Sequence, residues 1–225
     1  MSVTAAQGFR AAGVRAGLKA SGKPDLALVI NDGPLDTAAG VFTTNRVVAA
    51  PVVWSRRLLA GQDGGQPGHA RAVVLNSGSA NACTGAQGLE DTEATAAHAA
   101  GLLGAEPGQV LVCSTGVIGQ RIDMPVLLEG VDVAALALAD TAQAGTDAAT
   151  AIMTTDTVSK EDALTVGASH QSWTIGGMIK GVGMLAPGMA TMLAVITTDA
   201  VLTPQQAQDA LTSATMRTVN RINSD

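Results

Sequence analysis

The chain has 225 residues and a formal net charge of −6; 47% of it is hydrophobic, 14% charged and 2% aromatic. That length and apolar content give ample core for one large domain or two small ones, and they exclude disorder over most of the chain. The acidic balance argues against a nucleic-acid interface, which needs a basic face.

With no Tyr, the core must be built from Ala, Val, Leu, Ile and Met. Cys83 and Cys113 give no disulfide framework, so a reduced, cytoplasmic setting is expected, with both read as small buried residues. The first seven residues lack the charged-then-apolar pattern of a signal peptide. No apolar run is long enough to span a bilayer.

The run 25–30 is apolar and ends at Asn31-Asp32-Gly33-Pro34, which predicts a strand closed by a turn. Residues 41–44 and 52–54 read as two more strands, with Pro51 as a breaker between them. The segment 61–68 is a loop by composition, and 71–75 is a strand ending on Asn76-Ser77-Gly78. An Ala-rich stretch from Glu90 to Leu103, acidic at its start, predicts a helix. A strand is expected over 109–113, running into Ser114-Thr115-Gly116. One long helix is expected over 133–151, then a hairpin of 163–166 with 173–175. A strand follows over 191–198, and a last helix begins at Pro204, since Pro suits a first helical turn, and ends near Arg217. Strands and helices are mixed without strict βαβ alternation, so the expected class is α+β.

The chemistry centres on Lys180-Gly-Val-Gly-Met-Leu-Ala-Pro-Gly-Met-Ala190-Thr191-Met-Leu193. A small-residue loop here ends in Thr at the mouth of an apolar strand. If the Ala190–Thr191 bond breaks, Thr191 becomes an N-terminus whose hydroxyl has its own α-amine as base. The plainer reading is a Gly-rich turn feeding a core strand, and the stretch alone favours it. Thr115 followed by Gly116 can present a hydroxyl and a backbone N–H side by side, as an oxyanion needs, or can be a simple turn. Lys180, eleven residues before Thr191, suits a substrate carboxylate and would disfavour a protonated amine nearby. A solvated surface charge is the usual fate of a lone Lys. His69, His98 and His170 are scattered without metal-ligand spacing, and no metal or cofactor is expected. The glycines at 176–177 and 181–183 match neither nucleotide-binding pattern.

The segment from Lys180 to Leu193 resembles the self-cleavage segment of the ornithine acetyltransferase (glutamate N-acetyltransferase, ArgJ) family. Further segments are similar in the same order: 8–14, 40–45, 76–78, 81–85, Cys113-Ser-Thr-Gly-Val-Ile-Gly119 and Ile152-Met-Thr-Thr-Asp-Thr157. Ser79 stands where the family usually has Asn. The resemblance implies a four-layer αββα sandwich of the DmpA/ArgJ type, with residues 1–190 as the α-chain region and 191–225 as the start of the β-chain region, incomplete at the C-terminus. It implies autocleavage between Ala190 and Thr191, with Thr191 as nucleophile. Thr115 and Gly116 become the oxyanion hole, and Thr154, Lys180 and Thr191 bind substrate.

The implied reaction moves acetyl from N2-acetylornithine to glutamate by a ping-pong route in arginine biosynthesis. Acetyl-CoA as a further donor stays open. The implied assembly has two α and two β chains, without nucleic acid or membrane. Two rivals stand beside it: a self-processing aminopeptidase or amidohydrolase with the same nucleophile, and a non-catalytic fragment.

Overall fold

The structure, a computed structural model, describes residues 2–168, 171–183 and 191–224. Its frame is a four-stranded sheet in the order β1 (Phe9–Val14), β2 (Leu26–Asn31), β3 (Ala72–Ser79), β4 (Val110–Val117). The first two pairings are antiparallel and β3–β4 is parallel. Along β2, Leu26, Leu28 and Ile30 enter one core, while Ala27 and Val29 enter a second core on the opposite face. A strand covered on both faces carries no polar alternation, which is why this run is apolar throughout. The strands expected at 25–30, 71–75 and 109–113 are therefore present. β1 was not foreseen, because Arg, Gly and two Ala make its sequence a weak strand former.

The strands expected at 41–44 and 52–54 do not form. Residues Ala50–Leu59 are helix α1, with Pro51 in its first turn. The buried positions are Pro51, Trp54, Ser55 and Leu58, a helical i, i+3, i+4, i+7 stripe that outweighs two β-branched valines. This helix covers the open edge of β4. Trp54 Nε1–H donates to the Val110 carbonyl at 3.0 Å. The Ser55 hydroxyl donates to the Val112 carbonyl at 2.8 Å and accepts from the Val112 N–H at 3.1 Å. Buried backbone groups need such partners.

Helix α2 (Gly85–Leu103) starts a turn before the acidic residues and ends on Gly104, whose φ of 62° places it in the left-handed region. The single helix expected over 133–151 is two helices. α3 (Met124–Leu136) is capped by Asp123, and α4 (Ala142–Ala151) is capped by the Thr141 hydroxyl. Between them Ala139 exchanges both backbone hydrogen bonds with Ala11 on β1. The chain thus crosses the sheet edge. Leu127, Val131 and Ala134 of α3 join the first core, and Ala148, Ala149 and Ala151 of α4 join the second. Gly13 allows α4 to lie directly on β1, since a Cβ there would meet the Asp147 carbonyl oxygen at 2.0 Å.

The expected hairpin is β5 (Lys160–Ala168) and β6 (Gln171–Lys180), and β7 (Leu193–Thr198) adds to β6 as an antiparallel third strand. Met178, Leu193 and Val195 of this second sheet pack into the second core. The result is an α+β sandwich: the helices α1–α3, the four-stranded sheet, then α4 and the three-stranded sheet. Helix α5 (Pro204–Arg217) is capped by Thr203 and rests on the 37–40 segment, where Gln208 bonds both backbone groups of Gly40. No helix among the described residues is long and apolar enough to cross a membrane.

Candidate active site

Three of the expected site residues meet at one node, in which Lys180 and Thr115 are buried and Thr154 is exposed. Lys180 is the last residue of β6, Thr115 stands near the end of β4, and Thr154 lies in the loop after α4. Lys180 Nζ donates to Thr154 Oγ1 at 2.7 Å and to Thr115 Oγ1 at 3.2 Å. Lys180 is only 4% exposed and Thr115 2%. The surface reading of Lys180 is therefore set aside. Burial lowers the Lys180 pKa, Lys160 adds to that, and Asp156 opposes it. An ammonium carries three N–H bonds. Two go to these hydroxyls, and the third has no partner among the described residues. Because Thr115 Oγ1 accepts from Lys180, its own O–H remains to be donated elsewhere.

Thr115 and Gly116 lie opposite Ser77 and Gly78 in the parallel β3–β4 register. Gly116 has φ of 132°, and a Cβ there would come within 2.4 Å of the Gly78 carbonyl carbon. Only glycine fits, so the N–H of residue 116 is held in a position that a side-chain-bearing residue would not adopt. Gly116, Val117 and Ile118 are exposed, so this end of β4 opens outward from the buried Thr115.

A carboxylate to which the sequence assigns no role, Asp156 within the segment 152–157, organises the other side. Asp156 Oδ1 accepts from Lys160 Nζ at 2.5 Å and from the Gly181 N–H at 2.9 Å. Its Oδ2 accepts from the Thr154 N–H at 3.2 Å. Burial alone would push this carboxyl up, but Lys160 and the two backbone N–H groups hold it down at about 2. Lys19 was also missed. Its ammonium donates to the Pro24 carbonyl at 2.7 Å and the Ala151 carbonyl at 3.4 Å, and burial lowers its pKa. The Ser77 hydroxyl reaches the same Ala151 oxygen at 2.5 Å. The N–H groups of residues 16, 17 and 19 converge on buried Asp25, which fixes that turn. Isolated Lys and Asp residues far apart in sequence gave no signal that they would converge here.

Thr191 is exposed and stands two residues before β7, whose Leu193 pairs with Lys180. It makes no hydrogen bond among the described residues. Ala190, and with it the expected cleavage bond, lies outside the described residues. Cys83, expected to be buried, is exposed because it stands in the turn that opens α2. Cys113 is partly buried, and burial pushes its thiol up to about 12. His98 bonds Asp132 at 2.7 Å across α2 and α3, well away in sequence from the node.

The ArgJ family model matches residues 10–225. The arginine biosynthesis bifunctional protein ArgJ of Bifidobacterium longum is 57% identical over 226 residues, which takes in 100% of this chain and 56% of that protein. The chain spans about half the length of the curated relatives it matches. The ornithine acetyltransferase of Mycobacterium tuberculosis, solved in complex with ornithine, is similar at a TM-score of 0.77 and 50% identity, covering 85% of this chain and 96% of that one. The ArgJ bifunctional protein of Bacillus halodurans gives 0.76 and 34%, covering 86% and 95%.

Proposed function

The chain belongs to the ArgJ family, and on that premise we propose that the protein it builds is a glutamate N-acetyltransferase working through an acetyl-threonine at Thr191. The observation that carries this reading is the node at the end of β6, where buried Lys180 bonds buried Thr115 and the exposed Thr154, on the strand that pairs with the one following Thr191.

Processing comes first. The Thr191 hydroxyl adds to the Ala190 carbonyl, the peptide nitrogen leaves as a new α-amine, and water releases the resulting ester. The α-amine then serves as base for its own hydroxyl. A free α-amine titrates near about 8. A cation at Lys180 favours its neutral, proton-accepting form. In transfer, Thr191 Oγ attacks the acetyl carbonyl of N2-acetylornithine. The Thr115 O–H and Gly116 N–H hold the oxyanion, and ornithine leaves with the proton. The glutamate amine then takes the acetyl group from Thr191. Lys180 and Thr154 hold the substrate carboxylate, for which a compact ammonium beside a hydroxyl is suited.

The division into residues 1–190 and 191 onward belongs to this proposal. The coverage of the solved ornithine acetyltransferase chain supports it, since 85% of 225 residues is close to the 190 that precede Thr191. After cleavage the β6–β7 pairing would keep the two pieces together, and assembly as two of each is proposed with it.

The test uses the chain folded together with the C-terminal half of the Bifidobacterium longum relative. With acetylornithine and no glutamate, ornithine should appear as one burst per site and then stop. Glutamate should restore turnover, and acetyl-CoA is tried as donor in the same assay. Continued ornithine release without glutamate would make the protein an amidohydrolase.

A further inference from the structure

Asp156 has the strongest claim to a role among the groups that the proposed chemistry leaves unused. Its side chain is fully buried, and its two oxygens take three donors from three places in the fold. Oδ2 takes the backbone N–H of Thr154, the residue whose hydroxyl touches Lys180. Oδ1 takes the backbone N–H of Gly181, the residue directly after Lys180. Lys160, at the start of β5, supplies the counter-charge. One carboxylate therefore fixes the backbone on both sides of the Lys180–Thr154 contact. It also fixes the first residue of the segment that leads to the Ala190–Thr191 bond.

We propose that Asp156 is a positioning residue: a two-oxygen clamp that holds Thr154 against Lys180 and anchors the start of the cleavage segment at Gly181. This rests on the acetyltransferase reading for its effect on turnover. The clamp itself rests on geometry alone.

A carboxylate suits this place and an amide does not. Both oxygens of Asp accept, whereas Asn has one acceptor and one donor. In Asp156→Asn the amide nitrogen must face either the Thr154 N–H or the Gly181 N–H, so one arm of the clamp becomes a donor facing a donor. Lys160→Met removes only the counter-charge and leaves both backbone bonds. Charge matters in a second way. Asp156 opposes the effect of burial on Lys180. The other charged groups at the node are Lys160 on β5, and Lys19 with its neighbour Asp25. Neutralising Asp156 leaves Lys180 facing cations with less opposition, so Lys180 should lose its proton at lower pH.

The experiment has two arms. In the first, the wild-type chain folded together with the C-terminal half of the relative is followed by amide hydrogen exchange, which needs no activity. The Thr154 and Gly181 N–H groups should exchange at least 100-fold more slowly than exposed loop amides. Free exchange at either one overturns the clamp, whatever the protein catalyses. In the second, Asp156→Asn and Lys160→Met are assayed with the C-terminal half supplied, the wild type serving as control for the acetyltransferase reading. Asp156→Asn should raise KM for acetylornithine and glutamate about tenfold or more, with kcat falling less. The alkaline limb of its kcat/KM profile should move to lower pH. Lys160→Met should change KM less than threefold. A folded Asp156→Asn with wild-type KM and pH profile overturns the proposal. Should that variant fail to fold, Asp156→Glu keeps both acceptors and should recover part of the KM, and KM no better than in an Asp156→Ala control would count against the clamp.

Discussion

At the scale of single residues, the proposed function divides the node into a group that acts on the transition state and groups that act on binding. On that reading Thr115→Ala removes one oxyanion donor but no substrate charge. Turnover should fall about 100- to 1,000-fold with KM little changed. Steady-state kinetics on the complemented protein checks this, and an unchanged kcat in a folded variant would remove Thr115 from the oxyanion site. Asp156 gives a stability prediction with a definite sign. Its folded carboxyl sits at about 2, below the ordinary 3.8. Its stabilising contribution is therefore complete above about pH 4 and is lost as the pH falls toward 2. Acid unfolding followed by circular dichroism should show a steeper loss of stability in that window for the wild type than for Asp156→Asn. Equal slopes would mean that the carboxylate is not held by the donors around it. The sequence singles out Thr115, Gly116, Thr154, Lys180 and Thr191 as candidates through the motifs that carry them, and of these the structure brings Thr115, Thr154 and Lys180 into contact. Asp156 stood within one of those motifs without a role, because hydrogen bonding from Lys160 and from two backbone amides is a property of the folded loop. Lys19 and Asp25 had no motif at all.

At the scale of elements, the edge of β4 matters most, because Thr115 rides on that strand. The helix α1 supplies the edge with side-chain partners through Trp54 and Ser55. Covering an edge in this way blocks pairing with other strands. Ser55→Ala leaves the Val112 N–H and carbonyl without their partner, which costs about 1–3 kcal/mol for a buried group left unsatisfied. Urea unfolding should show that loss as a lower midpoint at unchanged slope. A variant as stable as the wild type would show that the hydroxyl is replaceable, by water or by a shift of the helix. This element was misread from sequence: Val52 and Val53 suggested a strand, while the spacing of Pro51, Trp54, Ser55 and Leu58 spoke for a helix. The stretch 133–151 was misread for another reason. Ala and Leu are good helix formers on either face of a sheet, so composition cannot show that the chain changes face at Ala139. Thr141, able to cap a new helix, was the available signal. The helix at 204–217 was read correctly because Pro204 and its preceding Thr203 mark its start unambiguously.

At the scale of the whole molecule, the three-stranded sheet has an apolar outer face. Leu164, Trp173 and Ile196 are exposed on it at 63%, 37% and 56%. Contiguous apolar surface of this kind favours association. The chain by itself should therefore sediment as a mixture of associated species, remain mostly uncut at Ala190–Thr191, and transfer no acetyl group. A monodisperse monomer with robust transfer would contradict this. The sandwich itself was legible as an α+β class from its mixed elements, and the layer order followed from the family resemblance. The pairing of Lys180 with Leu193 was not legible, since the twelve residues between them leave strand register undetermined. That pairing sets the central claim, that Thr191 is a latent nucleophile beside the Lys180 node. The most direct test is intact-mass and peptide-mapping mass spectrometry of the chain completed with the C-terminal half of a relative, after incubation with acetylornithine alone. The account predicts a fragment beginning at Thr191 that carries one acetyl group on its hydroxyl, a single uncleaved chain for Thr191→Ala, and a cleaved one for Thr191→Ser. An acetyl group on another residue, or cleavage of Thr191→Ala at the same bond, would contradict it.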